Sequence, residues 1–257
     1  MTETFRKTGT RHAPDDLRAE AAGLEWLRAA GGARVVRVLA CDDDALTLER
    51  IRPARPTPEA AREFGAALAR THSAGAEAWG APPDGWTGRC FIGTKEQPCR
   101  PRSSWGAFYA EQRVLPHLPG ARDRGMLSAA GARLVEQACD RIAGGDFDGP
   151  DCGADRPARL HGDLWSGNVL WSPDGVVIID PAAHGGHRET DLAMLALFGA
   201  PHLGEILAGY ESAHQLGGGL RDRVPLHQLH PLAVHADGQG AHYGEALAAA
   251  ARAVLAL

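Results

Sequence analysis

Long apolar runs are missing from this chain. None of its 257 residues fall in a stretch of 18 consecutive apolar positions, and the N-terminus carries no signal-peptide pattern. That argues against a membrane-spanning helix or a secreted product and makes a cytoplasmic protein the expectation. Cysteine is sparse: the five present, at 41, 90, 99, 139 and 152, are odd in number, scattered and without a C-x-x-C pair. A disulfide framework and a zinc-ribbon spacing are both disfavoured, and the thiols read as reduced. Histidines cluster near the C-terminus (227, 230, 235, 242), but no H-E-x-x-H accompanies them, so no zinc site is expected. Basic charge is in deficit, with 27 Lys and Arg against 32 Asp and Glu and a pI near 6.2. A nucleic-acid surface or an anionic-membrane surface would need the opposite balance. No internal repeat or low-complexity tract appears.

What the chain does have is one dense stretch, Leu160-His161-Gly162-Asp163-Leu164-Trp165-Ser166-Gly167-Asn168-Val169-Leu170, then Val176-Val177-Ile178-Ile179-Asp180. The pattern is a strand end, a polar loop and a hairpin turned by Ser172-Pro173-Asp174-Gly175. Such a hairpin brings Asn168 and Asp180 toward each other. Two carboxylates and an amide oxygen around one loop suit a hard cation such as Mg²⁺, which also binds phosphate. Asp163 and Asn168 fit the spacing H-x-D-x-x-x-x-N, where the Asp takes a proton from the acceptor hydroxyl and the Asn holds metal. Asp180 stands where a second metal-binding Asp belongs, although Pro181-Ala182 follow it instead of Phe-Gly. Turn capping accounts for one Asx residue here, not for three at this spacing.

His161 through Asn168, Ile179-Asp180-Pro181-Ala182 and His187-Arg-Glu-Thr-Asp-Leu-Ala-Met-Leu195 resemble the fructosamine kinase (ketosamine kinase) family. That family is a branch of the aminoglycoside-phosphotransferase-like group. The likeness runs from about Phe5 to the C-terminus, with its specific motifs between residues 160 and 198. It implies an α+β, protein-kinase-like fold of two lobes, with ATP and Mg²⁺ as cofactors. The implied acceptor is a ketosamine, a fructosamine or ribulosamine that is free or protein-linked. A related aminoglycoside or choline phosphotransferase and a non-catalytic pseudokinase are the alternatives.

In chain order, residues 3–8 read as a strand bearing Lys7, Gly9–Pro14 as a loop, and Asp15 or Asp16 as the cap of a helix reaching Ala30. Leu17, Ala21, Leu24 and Leu27 form its apolar stripe, and Gly31-Gly32 end it. By resemblance, Lys7 contacts ATP phosphates and Glu20 on this helix orients it, with Glu25 as a rival. Residues 35–39 and 45–49 are expected to form an antiparallel hairpin around the solvated Asp42-Asp43-Asp44 turn. By resemblance, the backbone of Glu49-Arg50-Ile51 is the hinge that binds adenine. Pro53, Pro56 and Pro58 mark a boundary between a β-rich N-terminal lobe (1–52) and a catalytic and substrate lobe (53–257).

Beyond it, Thr57-Pro58 starts a helix carrying Phe64, Leu68 and His72. Residues 75–102 read as a long Gly/Pro/Trp loop, and segment 85–93 resembles the family's loop near the acceptor. Helices are expected at 104–116, 128–142, 203–214, 223–236 and 244–256, and a Gly/Asp/Pro linker at 144–157. His184 and His187 read as loop histidines, and Thr190 as the cap of a helix over 191–198. The resemblance implies that His161 and Asp191 support the catalytic loop and makes Trp165 a candidate to pack against the sugar. One part of the pattern is missing. Only six residues precede Lys7 and none is glycine, whereas the family places a Gly-rich hairpin there to cover the phosphates. The expectation is a truncated or mis-started chain with an open sheet edge and weak ATP binding.

Overall fold

The computed structural model describes residues 3–8 and 15–257, so the Gly9–Pro14 loop lies outside the described residues. Strand β1 (Thr4–Thr8) pairs antiparallel with β4 (Ala45–Glu49), which pairs in turn with β3 (Val38–Cys41). In this three-stranded sheet β1 lies at the edge, with Phe5 exposed. Helix α1 (Asp16–Ala29) buries Leu17, Leu24 and Leu27 and ends before Gly31, whose φ of 64° suits glycine. Neither aspartate caps it in the expected way. Asp15 makes no side-chain cap bond and pairs with Arg89, while Asp16 Oδ1 accepts from the Leu17 N–H.

The strand expected over 35–39 is in fact two strands in different sheets. Arg34–Val35 (β2) pairs in parallel with Gly175–Ile178 (β9), and the chain then crosses to β3. β9 pairs antiparallel with β8 (Val169–Ser172) in the anticipated hairpin. The Asp42 carboxylate accepts from the Asp44 and Ala45 N–H groups, which closes the acidic turn.

After the proline connector, Thr57 accepts from the Ala60 N–H and starts α2 (Pro58–Ser73). The long loop is not structureless: Cys90–Ile92 (β5) and Lys95–Gln97 (β6) form a hairpin within it. The helix expected at 104–116 is broken. It runs as α3 (Trp105–Tyr109), a π turn at Ala110–Val114, a 3₁₀ turn at Leu115–His117 and α4 (Leu118–Asp123). Pro116 and Pro119 lack the N–H that an uninterrupted helix would use. Helix α5 (Ala129–Ala143) and a short 3₁₀ turn (Pro150–Cys152) lead into β7 (Ala158–Leu160).

His184 is not a loop residue. His184–Gly186 form β10, paired with β7, and both His184 and His187 are buried. The next helix, α6 (Arg188–Leu197), is capped by His187, whose ring accepts from the Glu189 N–H, and not by Thr190. Helices α7 (Leu203–Ala213), α8 (Leu220–Ala236) and α9 (Ala241–Ala256) complete the chain.

Two apolar clusters hold these elements. One crosses the 52–53 connector and unites α1, β2 and β4 with α2, β9 and α7 through Leu24, Val35, Leu46, Phe64, Val177 and Tyr210. The other joins α3 and α5 to α8 and α9 through Trp105, Phe108, Ile142, Leu229 and Leu247. Helix α6 touches both, with Leu192 and Leu195 in the first cluster and Leu197 packed against the second, and the polar loop 161–168 follows β7.

Candidate active site

The loop after β7 is shaped by backbone contacts that leave little freedom. Gly162 has φ 81°, and a Cβ there would fall 2.2 Å from the Ala182 carbonyl oxygen. Only glycine fits. His161 spans the hairpin, with Nε2 donating to the Ile179 carbonyl at 2.8 Å and Nδ1 accepting from the Asp163 N–H at 3.2 Å. Asp191, from the first turns of α6, accepts from the N–H groups of His161 (2.8 Å) and Gly162 (2.9 Å). It also takes a bond from His72 Nε2 at 3.2 Å, and the Tyr210 hydroxyl meets His72 Nδ1 at 2.8 Å. Burial holds His72 below its ordinary pKa, hence neutral. Burial alone would raise the Asp191 carboxyl, but the bonds from His72 and Gly162 outweigh it and keep the group below the usual range. A fully buried anion thus braces the loop from behind.

In front of that brace, Asn168 donates from Nδ2 to the Asp163 carbonyl (2.8 Å) and to Asp163 Oδ2 (3.1 Å), with the Asp180 carbonyl at 3.4 Å. Three acceptors fix the NH₂ group inward and leave the amide oxygen as the free end. Burial pushes the Asp163 carboxyl up to about 6, against the opposing Asn168 bond. Asp180 adopts φ 53°, a left-handed conformation that aspartate tolerates better than most residues. Lys7 reaches across from β1, with Nζ 2.6 Å from Glu20 Oε2 and 3.2 Å from Asp180 Oδ1. Burial opposes the lysine's charge, but the two carboxylates outweigh it and raise its pKa. Burial drives Glu20 up to about 7, and its Oε1 has no partner among the described residues. The rival Glu25 is exposed and bound to Arg28.

These side chains line one cavity of about 370 Å³, together with Trp86, Phe91 and Thr94. Among the described residues that line it, one lysine stands with four carboxylates: Asp16, Glu20, Asp163 and Asp180. The donor set is oxygen-rich and short of positive charge, which fits a hard divalent cation. The structure therefore brings together Lys7, Glu20, Asp163, Trp165, Asn168 and Asp180. It does not bring Glu49, Arg50 or Ile51 to this cavity. The N–H groups of Glu49 and Arg50 are engaged by the carbonyls of Arg37 and Glu3. His161 and Asp191 sit behind the loop, as support.

Trp165 is 40% exposed, one of few large apolar side chains in the open. Its indole folds over Gly167, where a Cβ would lie 2.3 Å from the ring. Asp163 and Trp165 also line a second cavity of about 500 Å³ that opens toward α8 and α9. Met194, Phe198, His235 and Tyr243, which line it, were not singled out as site residues from the sequence. The hairpin β5–β6 contributes to both cavities.

The profile of the fructosamine kinase family matches residues 1–256 of this chain. The probable ketoamine kinase YniA of Escherichia coli strain K12 is 32% identical over 233 residues, covering 89% of this chain and 77% of that protein. A crystal structure of a candidate fructosamine-3-kinase from Thermobifida fusca is 48% identical. It has a TM-score of 0.90 and covers 100% of this chain and 86% of that one. The choline kinase LicA from Streptococcus pneumoniae, at 14% identity and TM-score 0.58, covers 100% of this chain and 87% of that one. At that identity it shares the protein-kinase-like phosphotransferase fold alone.

Proposed function

The chain belongs to the fructosamine kinase family, and from that premise we propose that it transfers the γ-phosphoryl group of ATP to a sugar hydroxyl of a ketosamine. Kinase chemistry follows from the family; the nucleotide, the metal, the acceptor and the residue roles are the proposal. The observation that carries it is the meeting of Asp163, Asn168 and Asp180 with the Lys7–Glu20 pair at one cavity.

Phosphoryl transfer asks a protein mainly for positioning and charge stabilisation. Asp163 stands at the junction of the two cavities and accepts the proton of the attacking hydroxyl. Its carboxyl near 6 leaves it mostly ionised at neutral pH and a better proton acceptor than an ordinary aspartate. Asn168 holds that carboxylate in place. Lys7, kept charged by Glu20 and Asp180, binds phosphate oxygens. Asp180 and the outward amide oxygen of Asn168 would hold Mg²⁺, which when bound neutralises the negative charge of the phosphates. Trp165 offers its exposed ring to the sugar.

The test is transfer from labelled ATP to fructosyl-lysine and ribulosyl-lysine, with kanamycin and choline as rivals. Preference for a ketosamine is expected. Preference for kanamycin or choline would replace this reading with an aminoglycoside- or choline-type enzyme, and no transfer to any acceptor would leave a nucleotide-binding pseudokinase.

A further inference from the structure

The second cavity holds a feature that phosphoryl transfer to a sugar does not require. From Trp165, beside Asp163, a file of rings leads away from the phosphates. Trp165 meets Phe198 edge-on at 5.9 Å between centroids, Phe198 meets His235 at 5.1 Å, and His235 meets Tyr243 at 4.8 Å. These side chains come from the catalytic loop, the end of α6, the end of α8 and the start of α9. His235 Nδ1 donates to the Pro231 carbonyl at 2.7 Å, which fixes its ring within the file. Ile92, Met194, Pro231 and Val234 supply further apolar wall.

The charge of this cavity is as informative as its shape. Among the described residues that line it, only Asp163 and Lys95 carry formal charge. The Lys95 ammonium is bound to the Asp237 carboxylate and carbonyl. Asp237 is further occupied by Arg124, 2.6 Å away, and by His117, 3.4 Å away. A ligand with several ammonium groups would find no second carboxylate free to receive them, and stripping water from each charge would go uncompensated. An apolar or aromatic group would bury its surface against rings already in place.

We infer that this cavity is a subsite for the amine-borne side group of the ketosamine, built for an apolar or aromatic group without additional positive charge. The inference rests on the ketosamine reading above and deepens it. With the sugar on Trp165 and its hydroxyl at Asp163, the substituent on the amine nitrogen continues over Phe198 and His235 toward Tyr243. The preference excludes polycationic acceptors, the feature that separates a ketosamine of a simple amine from an aminoglycoside.

Three acceptors with the same sugar test it: 1-amino-1-deoxyfructose, fructosyl-benzylamine and fructosyl-spermidine. The benzyl adduct is expected to have the highest kcat/KM, chiefly through KM. Tyr243→Ala should shrink the benzyl-to-unsubstituted ratio of kcat/KM by roughly three- to tenfold, the range of an aromatic contact. Tyr243→Phe, which keeps the ring, should retain the ratio. An unchanged ratio in Tyr243→Ala would overturn the subsite, as would a spermidine adduct used as well as the benzyl one. Transfer to none of the three would instead remove the ketosamine reading beneath it, a result distinct from either.

Discussion

Lys7 Nζ lies 3.2 Å from Asp180 Oδ1, so the edge strand of one sheet and the loop after the β8–β9 hairpin meet through a single ion pair. Both partners are about a third or more exposed, and the pair contributes little stability by itself. Its worth is positional: it sets the lysine proposed for phosphate beside the carboxylate proposed for metal.

A first consequence concerns Asp163. Asp163→Asn is nearly isosteric and keeps an acceptor for Asn168, so the fold should survive with an unchanged thermal melt. Turnover should fall by roughly 10²- to 10⁴-fold, the usual worth of a general base. Single-turnover rates of parent and variant decide the matter, and rates within twofold of each other would take Asp163 out of the role.

Asp180 and Asn168 should differ in what they give the metal. A carboxylate supplies charge and an oxygen, whereas an amide supplies an oxygen alone. Asp180→Asn is the cleaner variant, because asparagine also accepts the φ of 53° found there. Titration of Mg·ADP should show a larger loss of affinity in Asp180→Asn than in Asn168→Ala. Equal affinities would contradict the assignment.

Asp191 is expected to act on turnover through the loop it braces. In Asp191→Asn one carboxylate oxygen becomes an NH₂ group that faces a backbone donor or the His72 ring. The cost in stability should be roughly 1.5–3 kcal/mol, as for a bond to a buried charge. Urea unfolding reads that cost, while kcat should drop with nucleotide affinity largely kept. A variant as stable and as active as the parent would show that the brace is dispensable.

Glu189 gives the pH prediction. Burial opposes its charge, but His227 and the bidentate partner Arg223 outweigh that and lower its carboxyl to about 2 from 4.5. A depressed folded-state pKa means stability that is present above the unfolded value and lost as pH falls through the folded one. The unfolding free energy of the parent minus that of Glu189→Gln should therefore be constant from pH 7 to about 5. It should shrink steadily below 4.5. A difference that stays flat to pH 3 would refute the linkage.

Much of this site was legible because its chemistry is local in sequence. His161, Asp163 and Asn168 lie within eight residues, and a turn of known type carries Asp180 back to them. Lys7 and Glu20 were reachable because a strand and the helix after it meet at short range. Other features depended on distant partners. The split of residues 35–39 is decided by β9, some 140 positions away, whose backbone draws Arg34 and Val35 out of the neighbouring strand. His184 and His187 looked like loop residues because glycines flank them. Gly185 and Gly186 instead permit close packing, since a Cβ at Gly185 would strike the Ala78 carbonyl oxygen at 2.2 Å. Phe198, His235 and Tyr243 come from three separate helices, and no spacing within one segment announces that their rings will touch.

The parallel pairing of β2 with β9 bears on how the molecule moves. With the Val36 N–H bound to the Ile178 carbonyl at 3.1 Å and the Ala54 N–H bound to the Trp171 carbonyl at 2.8 Å, main-chain bonds staple the small sheet's neighbourhood to the hairpin that carries Asp180. Rocking these parts apart would break backbone bonds and split a shared core. Across the second cavity, the β5–β6 hairpin meets the α8–α9 corner through the side-chain clamp of Lys95 on Asp237, and side chains can slide and re-form on microsecond to millisecond timescales. The face held by side chains is the more compliant of the two, and it is the face proposed above for the acceptor, so opening is expected there before the stapled sheets part.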